Sequence, residues 1–156
     1  MSQSSFDDDE LFGEAAEEMH EDVEHHLAEA RAELPTPDSI WETSADNVLG
    51  VLNGLKSALN VGEAADHLRQ AKKKFMIGSR ADLFEAPEEL EAEIEAVDDL
   101  LGTVDSANQE VSELTATIPA LRGDLSEAHD AAAAAADEEA THAETEGAEE
   151  LEEEAE

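Results

Sequence analysis

The sequence predicts an all-α protein: a small helical bundle with a long coiled-coil-like helix and a disordered acidic C-terminal tail. Apolar residues recur at alternating steps of three and four along most of the chain, the period of an amphipathic helix. Prolines and glycines punctuate those stretches, and the segment from Ala131 onward is alanine and acid with no Lys or Arg after Arg122. With 156 residues, one domain with one small core is expected. The order read from the sequence is a flexible leader (1–9), a helical domain (10–130) and a disordered acidic tail (131–156).

The first helix is expected over 10–34, where Phe12, Ala16, Met19, Val23, His26 and Ala30 form one weakly apolar stripe. Pro35 and Pro37 end it and hold an extended connector. Ile40 and Trp41 are placed to staple the next helix, with Thr43 or Ser44 as its cap. That second helix, 45–60, is apolar over most of its circumference (Val48, Leu49, Val51, Leu52, Leu55, Leu59), so it is expected to be mostly buried. Gly50, Gly54 and Ala58 form a small-residue groove within it, which another helix could approach closely unless the glycines are merely tolerated. The third helix, 63–77, carries Ala64, Leu68, Ala71 and Phe75, with Gly78 as a C′ residue and Ser79 and Asp82 capping a short following turn.

Pro87, Glu88 and Glu89 mark the start of the fourth helix, 88–130: proline where the donor is orphaned, acids where the helix dipole is positive. Leu90, Ile94, Val97, Leu101, Val104, Asn108, Val111, Thr115 and Ile118 step four and three without a break, the pattern of a coiled-coil seam. Asn108 is the polar seam residue that would fix register or partner number. Leu114, Leu121 and Leu125 form an adjoining stripe, and Pro119 is expected to kink the helix without ending it. The tail buries nothing and is expected to be disordered, with fraying helix over its alanines.

Eight Lys plus Arg stand against forty-three Asp plus Glu, a formal net charge of −35. Such a charge destabilises a compact chain in dilute buffer, and molar salt, where the Debye length is about 3 Å, screens it. An acidic surface with four lysines is the pattern of proteins from salt-accumulating cells, and halophilic adaptation is the first reading of the charge; mimicry of nucleic acid is the lesser one. The absence of cysteine excludes disulfides, thiol nucleophiles and Cys-ligated metals. Neither a signal peptide nor a membrane span is legible, so a cytoplasmic protein is expected.

No phosphate loop, nucleophile elbow or calcium loop is present, and no nucleophile and base pair up, so no enzyme and no cofactor are expected. The histidines offer the alternative of a metal-binding bundle using Glu17, His20, His25 and His26. Glu17 and His20 have the Glu-x-x-His spacing of di-iron bundles, but the second copy, Glu139 and His142, lies in the tail. A solvated acidic face with histidines is the preferred reading, with no metal.

Five of the eight cations fall between Arg69 and Arg80, in the stretch AKKKFMIGSR and just before it. Helix-end charge compensation, at about 0.3 to 1 kcal/mol per cation at low salt, is the alternative to a contact surface here, and salt weakens it. A helix turns about 100° per residue, so Phe75, Met76 and Ile77 cannot all face one core. If Phe75 continues the Leu68 stripe, Met76 or Ile77 looks outward beside Arg69, Lys73 and Arg80. Arg69, Lys72, Lys73, Lys74, Phe75, Met76 and Arg80 are therefore the candidate contact surface for a protein partner. Nucleic-acid binding through residues 69–80 is a further alternative. It is disfavoured because its log affinity falls by about 0.9 per phosphate contact for each tenfold rise in salt, and the chain lacks aromatics to stack bases.

The segments DDELFGEAA, ADNVLGVLNGLKSALNVG, HLRQAKKKFMIGSRADLF and ELTATIPALR, in that order, resemble an uncharacterised family of short acidic proteins from halophilic archaea, a domain of unknown function. The similarity covers roughly residues 7–126. It implies a haloarchaeal cytoplasm and carries no activity, cofactor or catalytic residue. The sequence thus reads as a non-enzymatic interaction or scaffold protein, with the unpaired part of the long seam pointing to a homodimer and with no membrane partner.

Overall fold

The computed structural model describes the backbone of residues 3–154 and the side chains of residues 7–142. Among the described residues there are helices and no strands: α1 (Gln3–Glu33), α2 (Pro37–Trp41), α3 (Val48–Ala58), α4 (Ala64–Arg80) and α5 (Pro87–Glu154). None of these helices, over the described residues, is long and apolar enough to cross a membrane. The chain forms two compact units, one through Glu113 and one from Leu114.

The core of the first unit is built by α1, α4 and the beginning of α5. Val23, Leu27 and Ala30 of α1 meet Leu68 and Ala71 of α4 and Leu90, Ile94 and Val97 of α5, with Phe84 closing one end. Val23 and Leu27 are fully buried, and burying such a side chain stabilises by about 1.5 to 3 kcal/mol. Asp22 bonds Lys74 at 3.0 Å and Glu29 pairs with His67 at 3.1 Å, so α1 and α4 run antiparallel. Met19 of α1 already meets Gly78, near the C-terminal end of α4. The turns of α1 before it run past that end, which is why Leu11 and Phe12 stay exposed although Phe12 keeps the stripe's period. The helix itself starts at Gln3 instead of at residue 10, with Asp7 to Asp9 close to its positive end.

The segment between α1 and α4 departs from expectation. Pro37 opens a short helix, capped by Thr36, whose hydroxyl accepts from the Ser39 N–H. Trp41 does not pack down; it is 85% exposed. Asn47, not Thr43 or Ser44, caps α3, its Oδ1 accepting from the Gly50 N–H at 2.8 Å. The expectation that this helix is mostly buried is corrected: no residue of α3 is buried, and Val48 is 62% exposed. Its glycines explain the difference. A Cβ on Gly50 would meet Ala45 and one on Gly54 would meet Thr43, so these glycines admit the segment of chain that leads into the helix.

Gly78 is likewise not the residue that ends α4. The helix continues to Arg80, and Asp82, with φ of 55°, takes the left-handed position after the cap Ala81. The Leu83 N–H bonds the Gly78 carbonyl and the Asp82 N–H bonds the Ser79 carbonyl, the two bonds of a Schellman motif. Gly78 is small for a different reason: it is buried against the Phe84 ring, which stacks on Phe75 with centroids 5.6 Å apart.

α5 begins at Pro87 with Glu88 and Glu89 in its first turn and does not stop at Pro119. In the second unit its helical backbone continues over the alanines to Glu154, and every described side chain from Pro119 through His142 is exposed.

Candidate functional site

The basic stretch divides between two jobs. Lys74 of α4 bonds Asp22 of α1 at 3.0 Å, Lys72 reaches Asp98 of α5 at 2.9 Å, and Arg69 pairs within its own helix with Asp66 at 2.6 Å. Phe75 is half-buried on the core and stacked on Phe84. Lys72, Lys74 and Phe75 tie α4 to its neighbours, and the ion pairs, being largely open to solvent, add little. The Lys74 hydrogen bond is the main reason the Asp22 carboxyl is held below its ordinary value; partial burial opposes this, and the positive charge of Lys74 reinforces it. Lys73, Met76, Ile77 and Arg80 lie on the other face, exposed, with Met76 at 54% and Ile77 at 47%. The outward apolar residue expected from helical geometry is therefore a pair, framed by two cations at helical spacing.

The histidines of α1 separate in the same way. Glu17 is exposed, and His20 pairs with Glu24 at 3.3 Å and leans edge-on against Phe84. His25 is exposed and pairs with Glu29 Oε1 at 3.4 Å. The four do not converge. His26 instead continues the core-facing stripe and meets His67 of α4, their rings stacked with centroids 6.4 Å apart. Glu29 Oε2 lies 3.1 Å from His67 Nδ1 and 3.6 Å from His26 Nδ1. The His26 Nδ1 atom is buried and makes no hydrogen bond. His67 was not legible as part of this group: it is remote in sequence, and only the antiparallel register of α1 and α4 brings it to His26. The available signal was its place three residues after Ala64 and four before Ala71, at the edge of the apolar stripe of α4.

The seam of α5 faces inward over its first part. Leu90, Ile94, Val97 and Val111 are buried, while Leu101, Val104, Asn108 and Ile118 are half-buried. Asn108 donates from its side chain to the Lys56 carbonyl at 3.0 Å. That carbonyl is one of the orphan acceptors at the end of α3, whose neighbours Leu55 O and Ser57 O are taken by the N–H groups of Leu59 and Asn60. The polar seam residue thus serves α3 of its own chain. Leu114, Leu121 and Leu125, in the second unit, are 49%, 47% and 52% exposed.

No curated protein and no solved structure matches the chain. A family model does, that of a family of unknown function, DUF5790, over residues 1–126. That span takes in all of α1 to α4 and the seam of α5, and the chain belongs to this family.

Proposed function

We propose that the protein is a non-enzymatic, salt-adapted cytoplasmic scaffold that pairs with a second copy of itself through the second-unit part of α5. The stripe Leu114, Ile118, Leu121 and Leu125, stepping four, three and four, with its three leucines exposed and Ile118 half-buried, carries this reading. A stripe of that period is self-complementary, so two copies form a coiled coil and close the assembly as a two-fold pair. Within the second unit α5 is the sole helix among the described residues, so nothing of its own covers the leucines. Arg122 and Asp124 flank the stripe, where paired helices exchange salt bridges.

Charge decides the conditions. Two chains of −35 repel in dilute buffer. Molar salt screens that repulsion and leaves apolar burial intact, so pairing belongs to the salt-loaded cytoplasm that the composition favours. Nucleic-acid binding is disfavoured because Arg31, Arg69, Lys72 and Lys74 are engaged with carboxylates of the chain itself.

The outward face of α4 supports a second contact, with an acidic helical segment of a protein partner: Lys73 and Arg80 frame Met76 and Ile77 on a chain otherwise crowded with acid. Replacing Lys73 and Arg80 by Glu abolishes that contact and leaves self-pairing unchanged.

Because the chain has no cysteine, the self-pairing is tested by placing one at position 114, 118, 121 or 125 and oxidising in molar KCl. A parallel pair cross-links at every position, and an antiparallel pair only near its crossing point. No cross-link at any of the four contradicts the reading.

A further inference from the structure

We infer that His26 and Glu29 of α1 and His67 of α4 form a binding site for one divalent transition-metal ion, with Zn2+ the best fit. One ligand atom from each of the three residues lies within 4.8 Å of the others. In a tetrahedral site with bonds of about 2.0 to 2.1 Å, neighbouring ligand atoms stand about 3.3 Å apart. The observed separations from Glu29 Oε2, 3.1 Å to His67 Nδ1 and 3.6 Å to His26 Nδ1, bracket that value. The His26 Nδ1 atom is buried without a hydrogen-bond partner; such a group is costly unless something is bound to it. Two imidazoles and a carboxylate select Zn2+ and its neighbours over the oxygen-preferring Mg2+ and Ca2+.

The second shell fits the same reading. His25 engages Glu29 Oε1 at 3.4 Å, which turns Oε2 toward His26 and His67, as outer partners orient ligands in metal sites. His26, Glu29 and His67 are each half-buried, which leaves the remaining coordination positions to water. With ligands from two antiparallel helices, a bound ion clips α1 to α4 and stabilises the folded chain, because the unfolded chain holds no preformed site. The site is separate from the α5 stripe, so it stands or falls independently of self-pairing.

The test is calorimetric titration of the untagged full-length protein with ZnCl2 in molar KCl, which suppresses loose binding to the acidic surface. One equivalent binds saturably, a hundredfold excess of MgCl2 does not displace it, and the melting temperature rises. His26→Ala and His67→Ala each weaken binding by more than about tenfold, whereas His129→Ala, at an exposed position in the second unit, does not. Far-UV circular dichroism checks that the variants remain helical. Should a variant unfold, imidazole NMR of the wild type decides: Zn2+ shifts the ring signals of His26 and His67 and leaves those of His129. Binding that survives both substitutions, ring shifts confined to other histidines, or the absence of saturable binding overturns the assignment.

Discussion

Asn108 of α5 donates a hydrogen bond of 3.0 Å to the carbonyl of Lys56 at the C-terminal end of α3. A polar side chain in the apolar stripe of α5 is thereby used to finish another helix of the same molecule. Asn108→Ala should cost about 1 kcal/mol, the usual net worth of such a bond. The change is readable in urea denaturation and as faster amide exchange in the last turn of α3. The oligomeric state should not change; if it does, Asn108 also serves a partner helix.

Gly78 and Asp82 make a pair of opposite signs. In an ordinary exposed helix Gly→Ala stabilises by up to about 1 kcal/mol, but a Cβ on Gly78 would strike the Phe84 ring and crowd Met19. That ring is buried and stacked on Phe75, so it cannot swing away. Gly78→Ala should therefore destabilise by about 1 to 3 kcal/mol. Asp82→Gly should stabilise by about 1 kcal/mol, because glycine adopts the left-handed conformation without steric cost. Thermal denaturation of the two variants checks both signs.

The Asp22–Lys74 bond makes part of the stability pH-dependent. Asp22 is held below its ordinary value of 3.8 chiefly by the Lys74 hydrogen bond. Its folded pKa is thus lower than its unfolded one, so the contribution is complete above 3.8 and is lost as pH falls through the folded value. Asp22→Asn should lower stability near neutral pH and remove a small part of the stability loss seen below pH 3.8. An unchanged acid profile would show that the pair adds nothing.

Raising KCl from dilute to molar should raise the melting temperature of the wild type, because screening relieves the self-repulsion of a chain carrying −35. A melting temperature that falls over this range would contradict the salt-adapted reading of the composition.

What was legible in the sequence was local. Pro87, Glu88 and Glu89 announce α5 through the chemistry of a helix start, and the Leu90, Ile94, Val97 spacing announces its buried face. Val23 and Ala30 declare the buried stripe of α1 in the same way. Choices settled by tertiary register were not legible. Gly50 and Gly54 fit either a neighbouring helix or the chain's own Ala45 and Thr43, and the structure takes the latter. Gly78 and Asp82 both suit the end of α4, and glycine's propensity pointed to the wrong one because Phe84 needs the space. Of the metal cluster, His26 and Glu29 sit one turn apart on α1 and could be noticed, but His67 joins them only when α1 and α4 lie antiparallel.

The proposed pairing of two copies runs through Leu114, Ile118, Leu121 and Leu125 of α5. Light scattering on the untagged protein in molar KCl, over a range of protein concentrations, tests it most directly. The expected mass is twice the 16.7 kDa chain mass for the wild type and the single-chain mass, with helicity kept in the first unit, for Leu121→Glu and Leu125→Glu. A wild type that remains a monomer at every concentration, or a dimer that both substitutions leave intact, would contradict it.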